Sequence, residues 1–188
     1  MIVDLLRHGE TEQNGFCGST DSTLTARGWT QMRSALEDAR PWQAIVSSPL
    51  LRCADFAREY ADRHKIPLRI DKRLREIHFG QWEGQSPAEL MKKQPQDLAL
   101  FWTNPYDNPP PGGETLVTFE KRVLEAWQTI RHMNLDQRIL IVTHGGVIRM
   151  LLCHSQKLPR THLLQLEVLH ASLHSIPTLA IPITSRIQ

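Results

Sequence analysis

The chain has 188 residues, 40% of them hydrophobic and 22% charged, with a formal net charge of +2. That length suits one domain over residues 1–188 with a sizeable core, and so small a positive charge argues against nucleic acid or an anionic membrane as partner. No apolar run is long enough to span a bilayer, the N-terminus lacks the basic region of a signal peptide, and three cysteines without C-x-x-C spacing read as free thiols in a reducing cytoplasm.

In chain order, Ile2 to Leu6 reads as a short buried strand, interrupted by Asp4, that stops at Arg7-His8-Gly9. Side chains at the carboxyl ends of strands in an open α/β sheet face the ligand crevice. Arg7 and His8 are therefore expected to project into a site, where Gly9 permits a sharp turn. A polar loop follows from Glu12 to Asp21. Thr25 is placed to cap a helix with Trp29, Met32, Leu36 and Ala39 on its apolar face, ended by Pro41. Ala44-Ile45-Val46 is a second strand. Ser48 before Pro49 signals the start of the next helix, with Arg52 in its first turn. Pro67 to Ile70 gives another strand, and Asp71 to Gly84 a loop holding Glu76, His78, Phe79, Trp82 and Glu83.

A short helix is expected from Pro87 to Lys93, and the proline- and glycine-rich stretch Asn104 to Gly113 is a surface loop. The clearest periodicity in the chain predicts a helix from Thr115 to His132. Arg138 to Thr143 is a strand ending in His144-Gly145-Gly146, so two strands end in His-Gly and two imidazoles should meet. A helix follows from Gly146 to Cys153, and Leu164 to Ile183 alternates weakly, as edge strands do. Alternating strands and helices predict an α/β fold: a single-domain three-layer sandwich, its central sheet mostly parallel and its helices on both faces.

This topology gathers Arg7, His8, Asn14, Arg52, Glu76 and His144 near one sheet edge, an inventory for phosphoryl transfer. Arginine forks match phosphate oxygens, a neutral histidine can attack phosphorus, and a carboxylic acid can protonate the departing alkoxide. Arg52 in a helix's first turn conflicts with the helix dipole unless an anion binds there. The bland reading of His8 alone is a satisfied strand-end histidine, and of Glu76 a solvated loop carboxylate, with Glu10 or Glu83 as the alternative acid. His8, His144 and Glu76 could also form a two-histidine, one-carboxylate metal site. Two nearby arginines would repel a divalent ion, so neither metal nor cofactor is expected. Arg7, Arg52 and a protonated His144 would supply the positive charge.

The motifs resemble the histidine phosphatase superfamily. Arg7-His8-Gly9-Glu10-Thr11 with Asn14, Leu24-Thr25 with Gly28 and Gln31, Ser47-Ser48-Pro49-Leu50 with Arg52, Leu74 with Glu76 and Phe79-Gly80, and Val142-Thr143-His144-Gly145-Gly146 are similar to its blocks, in order. Phe56 departs from a threonine common there. The resemblance implies a phosphomonoesterase with His8 as nucleophile and Glu76 as proton donor. It also implies a phosphate pocket of Arg7, Asn14, Arg52 and His144, with Gly145 beside them. Shortness before the last His-Gly motif favours a hydrolase over a mutase. Phe79 to Gly84, Phe101-Trp102 and Pro110 to Glu114 are similar to alpha-ribazole phosphatases, and broad-specificity sugar or small-molecule phosphatases, which share several of these features, are the alternative beside the mutases. The expected partner is a small phosphate monoester, with Phe16 and Trp82 stacking on its base. A regulatory module that binds phosphate without turnover is the rival from another class. Monomer and homodimer stay open, and the tail after Ile148 carries no assignment.

Overall fold

The computed structural model describes residues 2–39, 41–133 and 138–177. Five strands form one sheet: β1 (Ile2–Arg7), β2 (Ala44–Ser47), β3 (Leu68–Ile70), β4 (Arg138–Thr143) and β5 (Leu173–Pro177), in the order β3-β2-β4-β1-β5. All pairings are parallel except β1 with β5. The six α-helices among the described residues are α1 (Ala26–Ser34), α2 (Leu51–His64), α3 (Pro87–Lys93), α4 (Pro95–Thr103), α5 (Leu116–Arg131) and α6 (Gly145–Ser155). The period-2 alternation of strand side chains divides the core in two. Val3, Leu5, Ile139 and Ile141 pack against α5 and α6, while Leu6, Ile45, Leu140 and Val142 pack against Met32 of α1 and Phe56 of α2. The α/β sandwich read from the sequence is the fold observed.

Parallel order fixes where the site lies. β1 and β4 are adjacent and in register, with Arg7 opposite Thr143, so their carboxyl ends deliver His8 and His144 to one place. Thr25 caps α1, accepting the Gly28 N–H at 2.9 Å. Ser86 and Glu89 form a reciprocal capping box on α3, with Pro87 in its first turn. No described helix is long and apolar enough to cross a membrane.

Several expectations shift. α1 ends at Ser34, and Leu36 reaches the core from a following turn. α2 starts at Leu51 rather than at Pro49. Asp21 Oδ1 accepts the Leu51 N–H at 2.7 Å, whereas Ser48 Oγ accepts the Leu50 N–H at 3.3 Å, ahead of the helix. α4 carried no usable period, being nine residues with apolar side chains on several faces; Leu98 and Phe101 turn inward and join Trp82 and Leu90 in a small separate core. Of the edge strands expected from Leu164 to Ile183, only β5 lies within the described residues, and 178–183 fall outside them.

Asp4, in the middle of β1, is fully buried and ties three strands together. It accepts from Trp42 Nε1 (2.7 Å), from Arg138 Nε on β4 (2.7 Å) and from Ser175 Oγ on β5 (2.5 Å). Replacing it by alanine strands the buried Trp42 N–H and breaks a largely buried ion pair. Asp4→Ala is expected to lower stability by about 3 kcal/mol or more, read from urea unfolding midpoints. A loss under about 1 kcal/mol would mean that the clip contributes little.

Candidate active site

The ends of β1, β4 and α2 with the loops 10–18 and 76–79 enclose a cleft of about 360 Å³. Arg7, His8, Asn14, Phe16, Arg52, Glu76 and Gly145 line it, so most of the residues expected at the site meet there. His144 stands one layer deeper: it is fully buried, its ring meets His8 edge-on with centroids 5.3 Å apart, and its Nε2 lies 2.7 Å from Ser48 Oγ. Keeping Ser48-Pro49 outside α2 leaves that hydroxyl in reach of the imidazole.

The His8 ring has a fixed tautomer. Its Nδ1 lies 2.8 Å from the Gly9 carbonyl oxygen, which can only accept, so Nδ1 carries the proton and Nε2 keeps its lone pair. Burial, reinforced by Arg52 and Arg7, holds His8 well below the ordinary histidine range. Burial and Arg52 do the same to His144. A protonated His144 is thus not what the unliganded protein holds; its depth makes the charged form too costly.

The two arginines are held by carbonyls. Arg7 donates Nη1 to Val168 O at 2.6 Å. Arg52 is wholly buried and donates Nη1 to Thr20 O at 2.7 Å and Nη2 to Gly18 O at 2.6 Å. Among the described residues, neither is ion-paired with a carboxylate, and two buried side-chain polar atoms lack any hydrogen-bond partner: Arg7 Nε and Arg52 Nε. A buried cation with an unused donor is costly unless an anion comes to it.

Glu76 is fixed by backbone donors. Oε1 accepts the Ile77 N–H at 3.0 Å, and Oε2 accepts the Gly146 N–H at 3.0 Å at the start of α6. A Cβ on Gly146 would come within 2.3 Å of Oε1, so glycine is required for this approach. The loop itself is clamped by Arg122 of α5, whose Nη1 and Nη2 donate to the carbonyls of Arg73, Arg75 and Glu76 at 2.7, 2.7 and 3.0 Å. Among the described residues no three histidine, cysteine, aspartate or glutamate side chains are gathered so as to hold a metal ion.

The aromatic wall differs from expectation. Trp82 is wholly buried, donating Nε1 to Gln94 Oε1 at 3.0 Å, and does not line the cleft. The exposed ring there is Trp102 of α4, with Phe16 and Phe79 beside it. A narrow apolar slot of about 120 Å³ opens off the cleft between Phe79, Phe101 and Trp102, and Glu76 borders both spaces.

The sequence reading missed two further groups. Arg149, one turn along α6, anchors Nε on Leu166 O at 2.8 Å and borders both cleft and slot. His170, from the unassigned tail, has its ring centroid 5.5 Å from that of His8. Burial and Arg7 push its imidazole down to about 4. Arg149 had a signal, since an α6 starting at Gly145 brings the fifth residue back to the same end. His170 had none, because its place depends on β5 pairing antiparallel with β1.

With this geometry in place, the chain was compared with known proteins. The model of the histidine phosphatase superfamily (branch 1) matches residues 3–178. A glucosyl-3-phosphoglycerate phosphatase of Mycolicibacterium vanbaalenii is 34% identical over 156 residues, covering 77% of this chain and 69% of that protein. A 2,3-bisphosphoglycerate-dependent phosphoglycerate mutase of Nocardia farcinica is 30% identical over 184 residues, covering 80% and 75%. The crystal structure of the alpha-ribazole phosphatase from Shigella flexneri superposes with a TM-score of 0.84 at 28% identity, covering 96% and 92%.

Neutral buried imidazoles set a pH signature. His8 and His144 protonate well below 6.5 when folded and near 6.5 when unfolded. Below 6.5 the unfolded chain therefore binds more protons, so their contribution is complete above that pH and is lost as the pH falls. Urea midpoints are expected to drop between pH 7 and pH 5. NMR of labelled histidine should show both rings neutral at pH 6, and a ring titrating near 6.5 at either position would overturn the assignment.

Proposed function

The chain belongs to the histidine phosphatase superfamily, and from that membership we propose that it is a phosphomonoesterase working through a phosphohistidine at His8. The observation that carries the reading is the pair of unpartnered guanidinium Nε atoms beside an imidazole whose Nε2 is bare. A phosphate monoester dianion seated on Arg7 and Arg52 presents its phosphorus to that lone pair. Attack by Nε2 forms the N–P bond as the P–O bond to the alcohol breaks, and Glu76 gives its proton to the leaving oxygen. A water then attacks the phosphohistidine, Glu76 takes its proton, and the N–P electron pair returns to Nε2. Two fixed cations stabilise the charge that spreads over the equatorial oxygens, so the scheme contains no metal. Asn14 and Gly145 border the cleft, and His144 supports His8 from behind.

The test is to remove the nucleophile and to trap the intermediate. His8→Ala is expected to stay folded and lose hydrolysis of p-nitrophenyl phosphate. The wild-type phosphoenzyme should be acid-labile and alkali-stable, as phosphorus on nitrogen is. Acid-stable label, or turnover near wild type in the variant, would sink the mechanism.

For the leaving group, the reading is alpha-ribazole 5′-phosphate. Phe16, Phe79 and Trp102 offer ring faces where Glu76 meets the departing oxygen, as a flat base requires. The structural likeness to an alpha-ribazole phosphatase supports it. Arg149 favours a second reading: a third guanidinium at the junction of cleft and slot suits a phosphate ester that also carries a carboxylate. Phosphoglycerate, named in two relatives, is such an ester.

The two readings separate in kcat/KM. Trp102→Ala should raise KM for alpha-ribazole phosphate and spare p-nitrophenyl phosphate, with alpha-ribazole phosphate the better substrate of the wild type. If 3-phosphoglycerate is instead preferred, and Arg149→Ala removes that preference, the phosphorylated acid takes its place.

A further inference from the structure

We propose that Glu83, which the mechanism does not use, is a positioning residue that aims Arg52 at the substrate phosphoryl group through the backbone of residues 18–20; the proposal rests on the reading of the cleft as a phosphoryl site. Glu83 directly follows the turn Gly80–Trp82. Its Oε1 accepts the Ser19 N–H at 2.7 Å, the Ser19 hydroxyl at 3.0 Å and the Phe79 N–H at 3.1 Å, and its Oε2 accepts the Thr20 hydroxyl. One carboxylate therefore grips two consecutive residues of the 17–20 turn. The carbonyls on either side of Ser19, those of Gly18 and Thr20, are the two that receive Arg52 Nη2 and Nη1.

Gly18 shows how closely the parts are fitted. It sits at φ +50°, and a Cβ there would lie 2.2 Å from Glu83 Oε1. Only glycine lets the carboxylate reach the Ser19 N–H while its own carbonyl turns toward Arg52. Burial pushes the Glu83 carboxyl up, but the hydrogen bonds from Thr20, Ser19 and Phe79 outweigh it and hold the group below the usual carboxylate range. The charge-assisted bonds thus persist at neutral pH.

The logic is that of a planar fork. Arg52 has its two terminal nitrogens fixed by two carbonyls, so the direction of its unpartnered Nε is set by where those carbonyls stand. Were the 17–20 turn free to slide, the fork would follow it and the third donor would miss the phosphoryl oxygen. Glu83 does not touch the cleft itself, since it is not among the residues that line it. It reaches the phosphoryl group through the 17–20 turn and Arg52, while its bond from the Phe79 N–H ties that turn to the neighbouring loop.

The test is a double-mutant cycle read by binding as well as by rate. Orthovanadate affinity is measured calorimetrically, and kcat and KM are measured with p-nitrophenyl phosphate and an alkyl phosphate. Glu83→Gln is expected to weaken vanadate binding and lower kcat/KM by roughly 10–100-fold, equally for both esters, because no proton transfer is touched. In an Arg52→Lys background the same change should have little further effect. Thr20→Val, which deletes one bond to Oε2, should give a smaller loss of the same kind and serves if Glu83→Gln folds poorly. Additive losses in the double variant, or reduced turnover with unchanged vanadate affinity, would overturn the proposal. Arg52→Lys binding vanadate as tightly as wild type would instead overturn the phosphoryl-site reading beneath it.

Discussion

Two guanidiniums brought out of water without a carboxylate between them are the constraint on which the rest depends. Arg7 and Arg52 could each be neutralised by one nearby acid, and the fold withholds it. What it supplies instead are carbonyls: Val168 for Arg7, and Gly18 with Thr20 for Arg52. A carbonyl fixes direction and satisfies an N–H, but it leaves the formal charge standing. The arrangement is tolerable because the scaffold that imposes it is strongly over-determined. Two apolar layers clasp the sheet, and Asp4 locks β1 to both neighbouring strands. The interior thus keeps a standing demand for an anion.

The demand explains features that look separate in the sequence. Glu76 borders the same cleft as Arg7, yet its two oxygens are held by the Ile77 and Gly146 N–H groups and its backbone by the clamp of Arg122. It is thereby kept at the leaving-group side and does not collapse onto the arginines. Glycine at 146 and at 18 belongs to the same economy of space, each making room for a carboxylate that must approach backbone closely. The proline-rich stretch 104–113 braces the turn that carries Phe79, with the Gln81 N–H donating to Pro111 O at 2.9 Å and the Glu114 N–H to His78 O at 2.8 Å.

What the sequence made legible follows from how local each signal was. The two strands ending in His-Gly, the Thr25 cap and the Thr115-to-His132 periodicity are readable because a few adjacent residues decide them, and all three stand in the fold. The sheet order brings His8, Arg7, Arg52 and Glu76 to one cleft for the same reason: each sits at or near an element's end. The errors came where long-range packing chose between equivalent local options. Trp82 and Trp102 are both tryptophans with a polar residue after them, and the small core of Leu90, Leu98 and Phe101 decides that Trp82 goes in while Trp102 stays out. Ser48 looked like a cap but serves His144, and Asp21 from thirty residues upstream takes the capping role. His170 reaches the cleft through a strand pairing that weak alternation could not announce.

The charge balance of the occupied site is the last consequence. Three imidazoles, His8, His144 and His170, stay neutral in the unliganded protein because each is pushed down by burial and by the arginines. The positive charge beside His8 is then that of Arg7 and Arg52, which matches the two negative charges of a phosphate monoester dianion. A histidine protonated in advance would repel the arginines and, at His8, would remove the lone pair the chemistry needs. A neutral imidazole and a cationic pocket are therefore one condition, and the guanidiniums enforce both. Arg149 adds a positive charge outside that balance, one turn along α6 and toward the leaving group. A neutral alcohol leaves it to solvent, whereas a leaving group with its own carboxylate would meet it. The choice of substrate thus turns on a cation that the phosphoryl group itself does not need.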